Sequence, residues 1–316
     1  MTSEVFIGID VSKETLDIAI RPSGEPLTVS NDDEGVAALL KRIAPLKPVL
    51  IVLEATGGLQ NLAAATLAEA GLAVAVANPT RTRNFAKTIG KLAKTDGIDA
   101  AVIAEYARII KPPARPLPDK QQRELEMWLV HRRQLTHMLV QEKNRLSGAP
   151  KDMHQSIEGC IRFFEREIAE IDKKAASMIK ANTKWRQKAE LLKSAPGVGT
   201  VTAAALLAWL PELGTFDRKQ IAALAGLAPY NRDSGKYRGR RSIWGGRAAV
   251  RTSLYMATIT AMRTDERMKG FYARLRATGK KAKMAITAVM RKLLTALNAM
   301  LRDNQPWSDL ATRSTS

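Results

Sequence analysis

The sequence predicts an α/β N-terminal domain, a helical coiled-coil spacer and a mostly α C-terminal domain. Three observations predict this. Apolar runs of strand type alternate with runs of helical period as far as Ile110, two long helical stretches follow a Pro-rich break, and the last third is helical around Gly-rich turns.

The elements follow in order. Strands are expected over VFIGIDV (5–11), TLDIAIR (15–21) and PLTVSN (26–31), then a helix over EGVAALLKRIA (34–44) and a strand over VLIVLEA (49–55). A helix over NLAAATLAEAG (61–71), a strand over LAVAVAN (72–78) and a helical stretch from Asp96 to Ile110 complete the series. Gly57 and Gly58 break the chain after the second apolar strand, and Gly71 ends the following helix, as short α/β connections require. Three strands followed by alternating helix and strand is the ribonuclease H-like (RuvC-like) arrangement. KPPARPLP, 111–118, reads as a boundary, so the first domain is placed at 1–115.

Four acids are spread over that domain: Asp10 inside the first strand, Glu54 closing the fourth, and Asp96 with Asp99 in KTDGIDA. A carboxylate at the end of an apolar strand is costly to bury unless it is paired or bound to a cation. Asp96 and Asp99 are three apart at the start of a helix and share a face. Taken singly, Asp10 is a strand-end residue, Asp96 a cap after Thr95, and Asp99 first-turn compensation of the helix dipole. Together, in this order, they favour one metal site. Hard carboxylate oxygens suit Mg2+ or Mn2+, and two such ions about 4 Å apart would clamp the attacking and leaving oxygens of a phosphodiester.

Charge sets the class of partner. Lys plus Arg number 50 against 31 Asp plus Glu, a net charge of +19, which attracts polyanions and above all nucleic acid. A basic binder without chemistry has the same composition. No apolar run reaches membrane-spanning length without a charge, and no secretory signal precedes Asp10, so a cytoplasmic, nucleoid-associated protein is expected. The single cysteine, Cys160, excludes an intrachain disulfide and is expected to be a buried packing residue.

From Ser156 to Met178 the apolar positions Ile157, Ile161, Phe164, Ile168, Ile171, Ala175 and Met178 step by four and three, a coiled-coil seam. Leu125–Leu146 is long and free of Pro and Gly, so a hairpin over 119–182 turning at SGAPKD is expected, with oligomerisation to cover its apolar edge. His131, His137 and His154 all fall here and read as surface residues.

The last domain, 186–316, opens with two helical stretches around Pro196, Gly197, Val198 and Gly199, the form of a helix-hairpin-helix whose amides at Gly197 and Gly199 would face a phosphate backbone; an ordinary turn between packed helices reads the same. After a helix at 218–225 comes a loop in which Ser234 lies beside Lys236, Arg238, Arg240 and Arg241, with Arg247 opening the next helix. Those cations would neutralise phosphate, and Tyr230, Tyr237 and Trp244 would stack on bases. By itself this is a basic loop.

The ordered set GIDVSK, LEATG, NP (Asn78-Pro79) before a basic helix, KTDGIDA, PGVG, LAGLAP, DSG and LYMA closely resembles the DEDD transposases of insertion sequences, the bridge-RNA-guided recombinases of insertion sequence family 110 and its 1111 subgroup. The resemblance runs nearly end to end. It implies that Asp10, Glu54, Asp96 and Asp99 form the magnesium site and that Ser234 attacks the phosphodiester, leaving a transient phosphoserine link to DNA. It further implies a homo-tetramer, a dimer of dimers, joining donor and target DNA under a structured noncoding guide RNA encoded by the element, with acids and serine drawn from different subunits.

No histidine accompanies Ser234, so metal would supply the activation its hydroxyl needs. A covalent phosphoserine conserves the bond energy that water attack dissipates. Rival readings are a RuvC-like Holliday-junction endonuclease using metal-activated water, for which Ser234 is dispensable, and a noncatalytic nucleic-acid scaffold. A sugar kinase or actin-like ATPase would need a second glycine-rich phosphate loop, which the sequence lacks.

Overall fold

The computed structural model describes residues 4–91, 96–114, 118–230, 239 and 241–308, those at 96–98 by their backbone alone. The chain divides into two compact units, Met1–Pro118 and Asp119–Ser316.

Unit one is built on β1 (Phe6–Val11), β2 (Thr15–Arg21), β3 (Pro26–Ser30), β4 (Leu50–Glu54) and β5 (Val74–Ala77), in the spatial order β3-β2-β1-β4-β5. The first three strands pair antiparallel, while β1/β4 and β4/β5 are parallel. Alternation along each strand sends side chains to two different layers. Ile7, Ile9 and Val11 pack with Ile51 and Leu53 against α1 (Asp33–Ile43) and α2 (Asn61–Glu69). Phe6, Leu50, Val52, Ala75 and Ala77 pack instead against Ile103, Tyr106 and Ala107 of α4 (Asp96–Ile110), with Phe85 of α3 (Pro79–Thr88) beside them. Ile7 and Ile9 are wholly buried. At roughly 2–3 kcal/mol each, they outweigh the cost of carrying a half-buried acid at position 10 of the same strand.

Gly8 decides how closely α4 approaches. A Cβ there would lie 2.1 Å from the Ala104 nitrogen and 2.4 Å from the Ala100 oxygen, so helix backbone rests directly on strand backbone. The helix runs antiparallel to β1. Lys111, just past its C-terminus, bonds Glu4 at 2.9 Å and lies over the Phe6 ring, and Glu105 lies 3.6 Å from Arg21, which is paired with Phe6.

Unit two begins with α5 (Lys120–Gly148) and α6 (Lys151–Ala181). They form an antiparallel hairpin, tied by the Arg132–Asp172 fork at 2.6 and 3.0 Å and by Lys143–Glu165 at 2.7 Å. Ile157, Ile161, Ile171 and Ala175 of the expected seam are buried. Cys160 is not: it is exposed, correcting the expected buried packing role. Ile157 and Ile161 take the inward positions on either side of it, and residue 160 falls outside that face of the helix. His131 and His137 are exposed, and His154 is half-buried with Nε2 3.0 Å from the Ala149 carbonyl.

The hairpin base joins a core made by α7 (Thr183–Lys193), α8 (Thr200–Trp209), α9 (Arg218–Leu224), α10 (Ala248–Thr264), α11 (Glu266–Ala277) and α12 (Ala282–Asp303). Two short strands, β6 (Pro229–Tyr230) and β7 (Ser242–Ile243), pair antiparallel. Among the described residues α12 is the one helix long and apolar enough to cross a membrane. Here it is a core helix: Val289, Leu293, Leu294 and Leu297 are wholly buried, and buried Asn298 donates to the Phe216 carbonyl and accepts from the Gly214 amide.

Candidate metal and nucleic-acid site

Strand parity decides where the acids go. Phe6, Gly8 and Asp10 face the α4 layer, as do Leu50, Val52 and Glu54. The parallel β1/β4 register ends at Ile9 opposite Leu53, so Asp10 and Glu54 are the next residues on neighbouring strands, at the same end of the sheet and on the same face. Both are half-buried.

The helix brings the other two to that end. Ala100 and Ala104 lie over Gly8, with the helix C-terminus toward Phe6. Moving from Gly8 to Asp10 advances about 6.6 Å along the strand, and moving from Ala100 back to Asp96 advances about 6 Å along the helix axis. The first turn of α4, with Asp96 and Asp99, therefore stands level with Asp10. Asp99 is half-buried; the Asp96 side chain lies outside the described residues. Among the described residues no three His, Cys, Asp or Glu side chains already meet in a group able to hold a metal.

Glu54 is anchored by a residue the sequence did not single out. The Thr82 hydroxyl, on α3 and 3% exposed, bonds the Glu54 Oε2 and also approaches the Pro79 carbonyl at 3.0 Å. Asn78 caps α3 by accepting from the Thr80 amide at 2.9 Å, and Pro79 occupies the first turn, where a missing N–H costs nothing. Among the described residues no Lys, Arg or His pairs with Glu54. Asp10 accepts from the Val11 amide at 3.0 Å.

Asp17 was also missed. It is directly opposite Asp10 across the antiparallel pair, half-buried on the α4 face, and accepts from the Thr28 hydroxyl at 2.6 Å. Like charges facing each other across a ladder repel. The negative charge at this end of the sheet thus exceeds what the four expected acids supply.

In unit two the expected nucleophile Ser234 lies outside the described residues, as do Lys236, Tyr237, Arg238 and Arg240. Arg241 is exposed just before β7; Tyr230, on β6, is 46% exposed, and Trp244, just after β7, is 65% exposed. Arg247 opens α10 with its guanidinium forked onto Glu212 at 2.5 and 2.7 Å and bonded to the Trp209 carbonyl at 3.1 Å, so its charge is spent inside the unit. Gly197, with φ +77°, packs against α10: a Cβ there would lie 2.1 Å from the Ala257 carbonyl. Gly199 is exposed at the N-cap of α8 and leaves that helix without a side-chain cap.

A layered mixed sheet with half-buried acids at one end, in a chain of such positive charge, is compatible with an enzyme acting on nucleic acid. Two family models match it, a DEDD transposase model over residues 7–154 and the Transposase IS116/IS110/IS902 family over 189–273. The chain belongs to this insertion-sequence transposase family.

Its relatives include the pilin gene-inverting protein of Moraxella lacunata, 28% identical over 96% of this chain and 98% of that protein. Another is an uncharacterized 43.6 kDa protein of insertion element IS110 from Streptomyces coelicolor, 24% identical over 95% of this chain and 94% of that protein. Of the solved structures, T. thermophilus RuvC in complex with a Holliday junction substrate aligns over 36% of this chain and 100% of that chain, at 18% identity and a TM-score of 0.28, a likeness too slight to add to the fold described above.

Proposed function

We propose that the chain is an RNA-guided DNA recombinase that cleaves donor and target strands and rejoins them through a covalent phosphoserine at Ser234. The observation that carries the acidic half of this reading is Glu54. Its half-buried carboxylate shares one end and one face of the sheet with Asp10, stands level with the first turn of α4, and has a neutral hydroxyl for its partner. Oxygen donors in such company fit a hard divalent cation, Mg2+ with Mn2+ as substitute, held by Asp10, Glu54, Asp96 and Asp99. When bound, that ion polarises the phosphoryl group and lowers the charge on the attacking and leaving oxygens.

The remaining work falls to side chains. Ser234 Oγ bonds to phosphorus as the bond from phosphorus to the 3′ oxygen breaks, the serine proton passing to solvent and the departing oxygen taking one from it to become a 3′ hydroxyl. The reverse displacement by a different 3′ hydroxyl, which gives up its proton, returns the hydroxyl of the serine. Lys236, Arg238, Arg240 and Arg241 offset the phosphate charge, and Gly197 and Gly199 offer amides to a backbone. A guide RNA encoded by the element selects the DNA, a tetramer holds donor and target together, and the cytoplasm at the nucleoid is the site of action. The relative that inverts a pilin gene supports strand exchange over simple cutting.

The test is a suicide DNA substrate with Mg2+ and copurified RNA. Wild-type protein is expected to yield a protein-DNA adduct resistant to denaturant, and Ser234→Ala none. Cleavage persisting in Ser234→Ala would replace this reading with water-based junction cutting.

A further inference from the structure

The outer surface of α3 carries cations that the fold leaves unused. Thr82, Phe85, Ala86 and Ile89 turn inward, while Arg81, Arg83, Asn84, Lys87 and Thr88 are exposed. The helix, PTRTRNFAKT, has no acidic residue. Among the described residues Arg81, Arg83 and Lys87 make no ion pair. Arg42 and Lys111 elsewhere in unit one are paired, with Glu25 at 2.7 Å and Glu4 at 2.9 Å, whereas lysines such as Lys13, Lys41 and Lys47 form no ion pair among the described residues. What sets Arg81, Arg83 and Lys87 apart is their grouping on one helix that touches Glu54. Arg83 and Lys87 are one helical turn apart, and Arg81 and Arg83 flank Thr82 in sequence.

Thr82 fixes where this surface sits. Its hydroxyl touches the Glu54 carboxylate, so the turn of α3 that carries Arg81 and Arg83 borders the acidic end of the sheet, and Lys87 follows Arg83 one turn further on. The helix begins at the C-terminal end of β5, the neighbour of β4, where a polyanion crossing that end of the sheet must pass. Such a polyanion is repelled by Asp10, Asp17 and Glu54 and needs compensating cations within a helical turn of them.

We propose that Arg81, Arg83 and Lys87 hold the phosphate backbone of the DNA strand that is presented to the acidic site. The occupant is DNA because the surface is tied to the carboxylate placed in the cutting machinery, and the strand lying against that carboxylate is the one cut. This inference rests on the reading of the acidic site given above, and it predicts binding that needs no metal.

The experiment compares the full chain with its Arg81→Ala/Arg83→Ala/Lys87→Ala variant, titrating a labelled DNA duplex and an RNA hairpin of equal charge in chelator over a range of NaCl. Each phosphate contact contributes about 0.9 to the slope of log K against log salt, so the DNA slope is expected to fall in magnitude by about 2.7. The RNA slope is expected to hold. An unchanged DNA slope overturns the proposal, and so does a fall confined to RNA, which would make this an RNA surface. Should the triple variant fold poorly, Arg83→Gln and Lys87→Gln singly decide the question in its place, each expected to remove about 0.9 from the DNA slope. Glu54→Gln separates the two ideas: if it still cuts DNA, the acidic-site reading fails while the slope change stands.

Discussion

Two half-buried glutamates, one in each unit, have opposite surroundings. Glu212 receives both arms of the Arg247 guanidinium, so its charge is neutralised where the turn after α8 meets the start of α10. Glu54 receives a hydroxyl from Thr82, and its near neighbours on the sheet are Asp10 and, across the ladder from Asp10, Asp17. A carboxylate matched by an internal cation is finished by folding. One held by a neutral donor beside further carboxylates has no cation supplied by folding among the described residues, which is the arrangement the proposed metal site calls for. The first arrangement braces the fold, and the second, on the function proposed above, serves the site.

Exchanging the charge at each glutamate is the strongest way to break this contrast. Glu54→Gln is expected to abolish Mg2+-dependent strand cleavage, a loss of at least about a thousandfold, with the thermal midpoint equal to or above wild type. Glu212→Gln is expected to do the converse, lowering stability by about 2 kcal/mol through a stranded guanidinium, with residual cleavage per folded molecule retained. Denaturation curves and single-turnover assays on both variants check this, and a destabilised Glu54→Gln would erase the distinction.

Gly8→Ala tests how the helix delivers its acids. The added methyl would overlap the backbone of α4 at Ala100 and Ala104, and the expected cost is about 3 kcal/mol or more, with cleavage lost as α4 is pushed off the sheet. Wild-type stability by urea denaturation would show that α4 does not rest there.

Thr82→Val removes the hydroxyl and keeps the shape. The Mg2+ concentration for half-maximal cleavage is expected to rise about ten- to a hundredfold, and Thr82→Ser to restore it. Failure of serine to rescue would mean that the methyl packing, not the hydroxyl, matters.

The smallest effect is expected at Glu126 on α5. Burial raises its carboxyl above the usual range, against a weaker lowering by Arg247. A raised folded-state carboxyl means that the native chain holds the proton to higher pH than the unfolded chain, so stability declines as pH climbs between the two pKa values. Glu126→Gln is accordingly expected to raise the melting temperature by a few degrees near neutral pH, a gain that vanishes in acid below the unfolded carboxyl pKa. Equal gains at both pH values would point to packing in place of charge.

Much of this was legible in the chain. Strands over 5–11, 15–21 and 49–55 and the helix from Asp96 correspond to β1, β2, β4 and α4 to within a residue or two, because each is declared by a local apolar period. Residue type misled where the period did not: a lone cysteine suggested burial at Cys160, and helical phase placed it outside. Arg247 read as one more loop cation; its partner Glu212 is 35 residues away, and nothing in the intervening sequence announces the pair. Thr82 and Asp17 were invisible for a similar reason, an ordinary threonine and an ordinary strand acid that acquire meaning only beside Glu54 and Asp10.

By itself, then, the amino-acid order determined which segments become strands and helices, the excess of positive charge, and the motif series that marks the family. Those properties depend on neighbours a few residues apart or on sums over the chain. Which carboxylates share an end of the sheet, which cation is already spent and which hydroxyl holds Glu54 were decided only in three dimensions. Strand order, register and the close approach of α4 at Gly8 set those distances, and they come from packing between segments far apart in the chain.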